Sequence, residues 1–349
     1  MVDREDVRQE HGYHALRVKK VVRETADTRS FVLDVPGDLL PVFSYRAGQF
    51  CTFRVRLDGT ELLRSYSMSS APETDADLTV TVKGVPGGLV STWFNDHVAE
   101  DDVLEVTKPA GVFCVREGTR PVVAFCGGSG VTPVLSIAKS VLATTHRPVR
   151  IFYANRDRHS VIFDEELRGM FARYPGRLEV RHHLDAESGF PDHAAVTGFA
   201  AGAPDADFYL CGPGPFMDMV EAALLDAGVD GERILVERFG DTAGRSRPEP
   251  PSGKQRPEAV TLIMAGARTT VAYQPGDTVL ETARRGGLKP PFSCEAGNCA
   301  TCMAILREGR AAMLENNALT PEEVAQGWVL TCQAVPEGPD PVTVEYEAL

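Results

Sequence analysis

The chain has no run of about 20 consecutive apolar residues, which is the length that a membrane-spanning helix requires. Its first ten residues are mostly charged and lack the apolar core of a signal peptide. We therefore expect a cytoplasmic protein with no membrane partner. Hydrophobic residues make up 43% of the chain and charged residues 24%, close to the globular average, so wholesale disorder is excluded.

Positive charge is also scarce. Lys and Arg number 36 against 49 Asp and Glu, which leaves a formal net charge of −13. Because a phosphate backbone is bound by basic surface, we expect neither DNA nor RNA as a partner. Cysteine is scarce as well, since eight in 349 residues are too few for a disulfide scaffold.

A proline-rich segment marks one clear domain boundary. Residues 241–257 hold four prolines and no large apolar side chain. Such a segment cannot bury enough surface to order itself, so it is predicted to be an extended linker. The length of the chain suits two or three domains. We place the first domain at residues 1–115, the second at 116–240 and the third at 258–349.

The three domains differ in their hydrophobic pattern. In the first, apolar and polar residues alternate, as in residues 78–83, which predicts an antiparallel β-barrel. In the second, short apolar runs alternate with helical segments such as 134–143 and 216–227, which predicts an α/β domain with a parallel sheet. In the third, a hairpin, a short helix at 279–285 and a closing strand at 342–346 predict an α+β domain. The expected fold is therefore multidomain.

Four cysteines are grouped near the C-terminus, as Cys294-x4-Cys299-x2-Cys302 and, further on, Cys332. This spacing is typical of a plant-type [2Fe–2S] site, in which a tight loop supplies three thiolates and a distant strand the fourth. Gly297 and small neighbouring residues let the backbone wrap a cluster. The alternative is a structural zinc site, but zinc ribbons use two Cys-x2-Cys pairs and this chain has one. A Rieske centre needs two histidines, and none lies near these cysteines.

Arg64, Ser65, Tyr66 and Ser67 form an R-x-Y-S tetrad after a β segment. The chemistry of these side chains fits a flavin. An arginine pairs with a pyrophosphate, an aromatic ring covers the isoalloxazine, and a hydroxyl hydrogen-bonds the reactive nitrogen edge of the ring. All four are predicted to contact the cofactor.

A glycine turn at residues 87–91 supplies further candidate contacts, namely Gly88, Leu89, Val90 and Ser91. Glycine allows close backbone approach, and Ser91 is able to donate to a phosphate at a helix start. An ordinary glycine turn before an amphipathic helix is the alternative. Tyr45 is a candidate upstream of the tetrad, and a core tyrosine at a strand end is equally consistent with the pattern.

A glycine-rich segment follows the apolar run that ends at Cys126. Its predicted nucleotide contacts are Gly127, Gly128, Ser129, Gly130 and Thr132. The segment is not the G-x-G-x-x-G fingerprint, because Pro133 occupies the place of the last glycine. Pro133 suits a first helical turn and Thr132 is predicted to cap that helix, so a helix N-terminus is left to meet a pyrophosphate.

Two further segments bear on the nicotinamide coenzyme. Cys211, Gly212 and Pro213 repeat the turn design after a later strand, and all three are predicted to contact the coenzyme. Arg156 and Asp157 follow the strand beside which the adenosine ribose should lie. Arg156 is able to pair with the 2′-phosphate of NADPH, whereas Asp157 is able to accept from the free 2′-OH of NADH. Both side chains being solvated is the alternative.

These motifs, taken in order, resemble those of the ferredoxin–NADP reductase superfamily. Residues 257–349 resemble a plant-type ferredoxin beyond their cysteines, since residues 329–334, VLTCQA, look like the strand that carries the fourth ligand. The whole layout is similar to the reductase components of oxygenases. It favours the 3-ketosteroid 9α-hydroxylase reductases, and phenylacetyl-CoA epoxidase reductase subunits share it. The resemblance implies a β-grasp-like ferredoxin domain, FAD, a [2Fe–2S] cluster and NADH, or alternatively NADPH.

The resemblance also implies catalytic roles for three residues. Ser67 would lie at the reactive edge of the flavin. Cys211 would lie beside the carbon that gives up hydride, and the alternative is a small buried hydrophobe. Phe239, in the terminal Glu-Arg-Phe segment, would stack on the flavin and yield to the nicotinamide, with core packing as its alternative.

The implied function is electron transfer from NAD(P)H through FAD and the cluster to a separate oxygenase, since the chain has no haem, Rieske or di-iron signature of its own. Residues 258–349 carry 12 acidic and 6 basic residues, and we hypothesise that this acidic module docks on the oxygenase. One alternative is a general NAD(P)H-acceptor reductase that also serves a cytochrome P450. The other is a redox-sensing or zinc-stabilised binding protein with a degenerate flavin site.

Overall fold

The computed structural model describes residues 13–239, 256–292, 295, 297, 300–316 and 318–346. Most of the predicted linker, and the predicted cluster ligands Cys294 and Cys299, lie outside these residues. None of the described helices combines the length and the apolar character that crossing a bilayer demands.

The N-terminal part of the described chain forms an antiparallel sheet. Its strands are β1 (Tyr13–Arg23), β2 (Thr28–Asp34), β3 (Phe50–Leu57), β4 (Thr60–Ser67), β5 (Leu78–Lys83) and β6 (Val103–Thr107). They pair in the order β4-β3-β6-β1-β2-β5. Met68, directly after β4, bridges Val80 of β5, so the two outer strands of the sheet meet. The predicted antiparallel β-barrel is confirmed.

Helix α1 (Leu89–His97) anchors the barrel core through one aromatic side chain. Phe94 is fully buried, and its ring makes edge contacts with the rings of Phe31, Phe53 and Tyr66 at centroid distances of 5.3, 5.4 and 5.3 Å. Tyr66 belongs to the predicted flavin motif. Packing of α1 therefore fixes the position of a predicted site residue.

The second part of the described chain forms a parallel sheet with helices between its strands. The strands are β7 (Val122–Gly127), β8 (Val149–Asn155), β9 (Leu178–Leu184), β10 (Asp207–Gly212) and β11 (Ile234–Arg238). The helices are α2 (Val131–Thr144), α3 (Asp164–Arg173), α4 (Asp185–Ser188), α5 (His193–Ala200) and α6 (Gly214–Asp226). Short 3-10 turns lie at Gly37–Leu39, Gly128–Gly130, Arg158–Ser160 and Gly231–Arg233.

The strand order is β11-β10-β7-β8-β9, with every neighbouring pair parallel. Strands β7 and β10 are buried along their whole length, which explains their continuous apolar sequences. From β7 the chain adds β8 and β9 on one side of the sheet, and it then adds β10 and β11 on the other side, so the switch point lies between β7 and β10. Ligands of such sheets bind at the carboxyl ends of the strands at this switch point.

The ends of two helices show how glycine and threonine are used. Gly228, which follows the predicted helix 216–227, has φ +82°, and its N–H donates to the Leu225 carbonyl at 2.9 Å, so it caps the C-terminus of α6. The prediction that Thr132 caps α2 is wrong. The N-cap is Gly130, and Thr132 is the second helical residue, with its hydroxyl donating to the Ser129 carbonyl at 3.0 Å.

The C-terminal part of the described chain is an α+β domain. Its strands are β12 (Ala259–Met264), β13 (Ala267–Ala272), β14 (Met303–Glu308), β15 (Arg310–Met313), β16 (Trp328–Leu330), β17 (Ala334–Glu337) and β18 (Val342–Tyr346), and its helices are α7 (Val279–Arg285) and α8 (Pro321–Ala325). The main sheet has the order β13-β12-β18-β14-β16, and β15 pairs with β17. The predicted hairpin, helix and closing strand are confirmed.

Replacement of Phe94 by alanine is expected to destabilise the barrel by about 3–5 kcal/mol, because it empties the place where four core rings meet. Calorimetry of the full chain should show a lower melting temperature for the barrel transition. Phe171→Ala is the matched control, since Phe171 is 56% exposed and should change the melting temperature little. Equal effects of the two substitutions would contradict the assignment of Phe94 as a core anchor.

Candidate functional site

A cavity of about 540 Å³ lies where the barrel meets the parallel sheet. Its walls come from both domains. The barrel contributes residues 64–67 and 85–91, and the parallel-sheet domain contributes Ser129, Thr132 and residues 237–239. Most of the predicted flavin motif and part of the predicted nucleotide motif are therefore brought to one place, although they are far apart in the sequence.

Ser67 is a buried polar residue of this cavity. It ends β4, is 2% exposed, and its hydroxyl oxygen has no hydrogen-bond partner among the described residues. A buried hydroxyl without a partner is unfavourable unless a ligand supplies one. This arrangement fits the predicted role of Ser67 as a hydrogen-bond partner for the polar edge of a flavin ring.

The other three residues of the tetrad line the same cavity in different ways. Arg64 is exposed and offers a positive charge. Tyr66 is half-buried, and burial raises the pKa of its hydroxyl above the ordinary value, so the side chain stays neutral. The Ser65 hydroxyl is hydrogen-bonded to the Thr52 hydroxyl at 2.8 Å. Ser65 therefore braces the strand. Arg64 donates to the Leu63 carbonyl at 2.8 Å and the Tyr66 ring packs on Phe94, and both side chains line the cavity.

The glycine turn before α1 is shaped by its serine. The Ser91 hydroxyl donates to the Gly88 carbonyl at 3.2 Å and accepts from the Val85 N–H at 3.3 Å. Leu89 is exposed at the cavity and Val90 is buried. In this structure the Ser91 side chain thus stabilises the turn, and the first N–H groups of α1, which no helical carbonyl can reach, suit a phosphate.

The turns that follow β7 and β10 touch through their backbones. A Cβ atom at Gly130 would lie 2.1 Å from the Cys211 carbonyl oxygen, and one at Gly212 would lie 2.9 Å from the Gly127 nitrogen. Neither position therefore has room for a side chain. This contact brings the two predicted nucleotide segments together at the switch point of the sheet.

Cys211 and Phe239, both predicted to act in hydride transfer, lie in different environments. The Cys211 side chain is fully buried in the apolar core of the parallel-sheet domain and is not among the described residues that line the cavity. Burial raises the pKa of its thiol well above the ordinary value. Phe239 lines the cavity and is 39% exposed. Cys211 thus has the surroundings of a small buried hydrophobe, and Phe239 those of a cofactor contact.

Tyr45 and Pro213 also lie outside the described lining of the cavity. The Tyr45 hydroxyl is hydrogen-bonded to the Ser70 hydroxyl at 2.7 Å, and its ring packs against the barrel core. Pro213 precedes α6 and abuts Gly127, where an added Cβ would lie 2.9 Å from Pro213 Cδ. In this structure both residues support the walls of the site.

Three charged residues that line the cavity, Lys83, Glu237 and Arg238, are not among the predicted contacts. Lys83 ends β5, and its Nζ atom would lie 3.6 Å from a Cβ placed on Gly128. An ammonium group beside the glycine-rich turn suits an anionic ligand. Glu237, near the end of β11, is 5% exposed and lines the same cavity. Lys83 and Glu237 share one sequence signal, which is a charged residue at or next to the end of a strand.

Arg156 and Asp157, the residues predicted to decide between coenzymes, pair with each other. Arg156 Nε lies 2.9 Å from Asp157 Oδ2, and the Arg156 side chain is 76% exposed. Asp157 Oδ1 also accepts from the Ser160 N–H at 3.0 Å. Both residues follow β8, on the carboxyl side of the parallel sheet. The carboxylate of Asp157 therefore engages the guanidinium that a 2′-phosphate would need.

Cys302 and Cys332 are the predicted cluster ligands that the structure describes. Both are buried, and the Thr331 N–H and hydroxyl donate to the Cys302 carbonyl at 3.1 and 2.8 Å, which holds the two cysteine segments together. The Thr301 hydroxyl, next to Cys302, is buried without a hydrogen-bond partner among the described residues. The acceptor sulfurs of a thiolate-bound cluster would give the Thr301 hydroxyl a partner.

Ala110 of the barrel domain contacts the cluster domain. Phe50 lines the cavity, and its N–H and carbonyl pair with the carbonyl and N–H of Ala110, each at 2.9 Å. Ala110 packs against the apolar cluster that includes Cys302 and Cys332. Phe50 and Ala110 thus link the wall of the cavity to the surroundings of the predicted iron ligands.

Replacement of Ser67 by alanine is expected to slow flavin reduction by NADH about tenfold, the effect of losing one hydrogen bond in the reacting complex. The melting temperature of the apoprotein should not fall, because the hydroxyl has no partner among the described residues to lose. Stopped-flow absorbance measures the rate. Ser65→Ala is the control, and a slower rate in that variant but not in Ser67→Ala would contradict the assignment.

Three family models match the chain. They are described as an oxidoreductase FAD-binding domain at residues 15–114, an oxidoreductase NAD-binding domain at residues 125–222 and a 2Fe-2S iron-sulfur cluster binding domain at residues 263–337. The structure of phthalate dioxygenase reductase has the same fold, with a TM-score of 0.60 and 23% identity over 96% of this chain and 98% of that chain. The predicted cofactor domains are confirmed.

Relatives match over nearly the whole length. The chain is 39% identical to the ferredoxin reductase component of the 3-ketosteroid-9-alpha-monooxygenase of Rhodococcus rhodochrous. The aligned 335 residues cover 93% of this chain and 95% of the relative. It is 32% identical to one component of the 1,2-phenylacetyl-CoA epoxidase of Escherichia coli, over 96% of this chain and 98% of the relative. The chain therefore belongs to the family of oxygenase reductase components, oxidoreductases that combine FAD-binding, NAD-binding and 2Fe–2S domains.

Proposed function

We propose that the chain is the NAD(P)H-dependent reductase that supplies electrons to a separate Rieske-type oxygenase acting on a 3-ketosteroid. The observation that carries this proposal is the shared cavity. Residues of the flavin motif and of the nicotinamide motif line it together, and Ser67 holds a hydroxyl there that has no partner among the described residues. The 39% identity to a reductase component of a 3-ketosteroid monooxygenase supports the choice of partner.

The cavity residues divide into those that hold a flavin and those that hold a nucleotide. Arg64 and the start of α1 suit the flavin pyrophosphate, while Tyr66 and Ser67 suit its ring. Lys83 supplies a positive charge beside the glycine-rich turn, where a nucleotide phosphate is expected. When bound, FAD accepts hydride from NAD(P)H and a [2Fe–2S] cluster carries one electron at a time.

Phe239 controls access to this cavity. It follows β11, lines the cavity and stays partly exposed. A planar ring in this position would exclude water from a bound flavin and would yield to a nicotinamide ring. The chain's own residues would thus bind, orient and shield, and no general acid or base is needed among them.

A phenylacetyl-CoA epoxidase is the second candidate partner, because one component of such an enzyme is 32% identical to this chain. Steady-state turnover with each oxygenase, with a cytochrome P450 as a third acceptor, separates the candidates. We expect the ketosteroid oxygenase to give the highest rate. Equal rates with all three acceptors would instead indicate a general NAD(P)H-acceptor reductase.

An anaerobic titration tests the reductase itself. NADH is added to the purified full-length protein while visible and EPR spectra are recorded, and the titration is repeated with NADPH. We expect the flavin bands to bleach and the EPR signal of a reduced [2Fe–2S] centre to appear. A colourless preparation that contains zinc but no iron would refute the proposal in favour of a metal-stabilised binding protein.

Replacement of Asp157 by asparagine is expected to raise the preference for NADPH over NADH about tenfold, because it frees Arg156 to make a charge-assisted hydrogen bond with a 2′-phosphate. The ratio of kcat/KM for the two coenzymes measures the change. Asparagine keeps an acceptor for the Ser160 N–H. Glu187→Gln, which frees Arg158 in the same way, is the control and should leave the ratio unchanged.

A further inference from the structure

One arginine of α7 holds the segment around a predicted cluster ligand. Arg284 Nη1 and Nη2 donate to the two carboxylate oxygens of Glu295 at 2.8 and 2.9 Å. The guanidinium carbon of Arg284 also lies 3.7 Å from the centroid of the Phe292 ring. Phe292 and Glu295 stand on either side of Cys294 in the sequence. The Arg284 side chain therefore contacts one residue before and one residue after that ligand in the sequence.

Glu295 is held from a second direction by the residue that follows the last ligand. Gln333 Nε2 donates to the Glu295 carbonyl at 2.8 Å and lies 3.8 Å from the Cys332 Sγ. The backbone of Glu295 has φ +52°, a left-handed conformation that residues with a side chain rarely adopt. Such a conformation persists only where its surroundings enforce it. Arg284 and Gln333 provide that restraint.

We propose that Arg284 and Glu295 form an opposed pair of charges that sets the reduction potential of the [2Fe–2S] cluster. The proposal rests on the proposed function, because the cluster must be assembled. Reduction adds one negative charge to the cluster. The positive charge of Arg284 therefore stabilises the reduced form, and the carboxylate of Glu295 stabilises the oxidised form.

Arg284 and Glu295 are positioning residues, because they act on the cluster through neighbouring residues and through the electrostatic field of their own charges. Gln333, which donates to the Glu295 carbonyl at 2.8 Å and lies 3.8 Å from the Cys332 Sγ, ties this pair to a second ligand segment. The neighbouring Arg285 has the same charge on the same helix but faces elsewhere. It donates to Asp277 at 3.1 Å and to the Ala272 carbonyl at 2.7 Å. Arg285 is thus a matched control.

The test measures the reduction potential of the cluster in the full-length holoprotein by EPR-monitored redox titration. Arg284→Gln should lower the equilibrium constant for cluster reduction about three- to tenfold, and Glu295→Gln should raise it by a similar factor. A tenfold change is about 59 mV for a one-electron couple. The double variant should return close to the wild-type potential, and Arg285→Gln should leave the potential unchanged.

Arg284→Lys separates charge from geometry. It keeps the positive charge but loses the two-pronged contact with Glu295, so the potential should stay within about twofold of the wild-type equilibrium while a chelator removes iron faster. If Arg284→Gln fails to assemble a cluster, Arg284→Lys and Glu295→Gln still show whether the charges of the pair set the reduction potential.

Two results would overturn the inference. Single substitutions that shift the potential in the same direction, or not at all, would show that the pair does not act through opposed charges. Iron and sulfide analysis of the wild-type protein is done first. A wild-type protein without a cluster refutes the proposed function as well, whereas a wild-type cluster with unshifted variants refutes this inference alone.

Discussion

The cavity depends on a rigid contact between α2 and the barrel. The Ser136 hydroxyl donates to the Ser70 carbonyl at 2.6 Å and accepts from the Gly48 N–H at 3.3 Å. One turn further along, the Lys139 ammonium bridges Asp75 of the barrel at 3.3 Å and Glu166 of α3 at 2.5 Å. Because the walls of the cavity come from two domains, the cavity would not be enclosed without this contact. The same helix begins at the glycine-rich turn, so one element both fixes the domains and carries a nucleotide segment.

Most of what the sequence predicted correctly follows from strong local patterns. The bounds of β5, α7 and β18 agree with the predicted segments residue for residue, because strict alternation defines the strands and a capping box between Thr278 and Glu281 defines the start of α7. Strand β9, with the sequence LEVRHHL, was missed. It lies at the edge of the parallel sheet and is partly exposed, so it lacks the apolar run that marks its buried neighbours.

The site was predicted less completely than the fold, for a physical reason. A motif can be recognised from residues that are close in the sequence, but burial and partners depend on which domains meet. In the sequence Lys83 is an ordinary strand end, and only the folded protein shows that its ammonium group lies beside Gly128. Cys211 has a suggestive neighbourhood in the sequence, yet its side chain belongs to the core. That the Ser67 hydroxyl lacks a partner among the described residues is likewise a property of the folded protein alone.

The arrangement of the domains also bears on how electrons leave the cavity. Ser129, Thr132 and Phe239 form its nucleotide side, and Phe50 belongs to its barrel side. The backbone of Phe50 is paired with Ala110, which packs against the apolar cluster of Cys302 and Cys332. A hydride donor that enters from the nucleotide side and an iron site beyond Ala110 would therefore use different walls. Such a separation would let the chain take up a two-electron donor on one side and pass single electrons onward on the other.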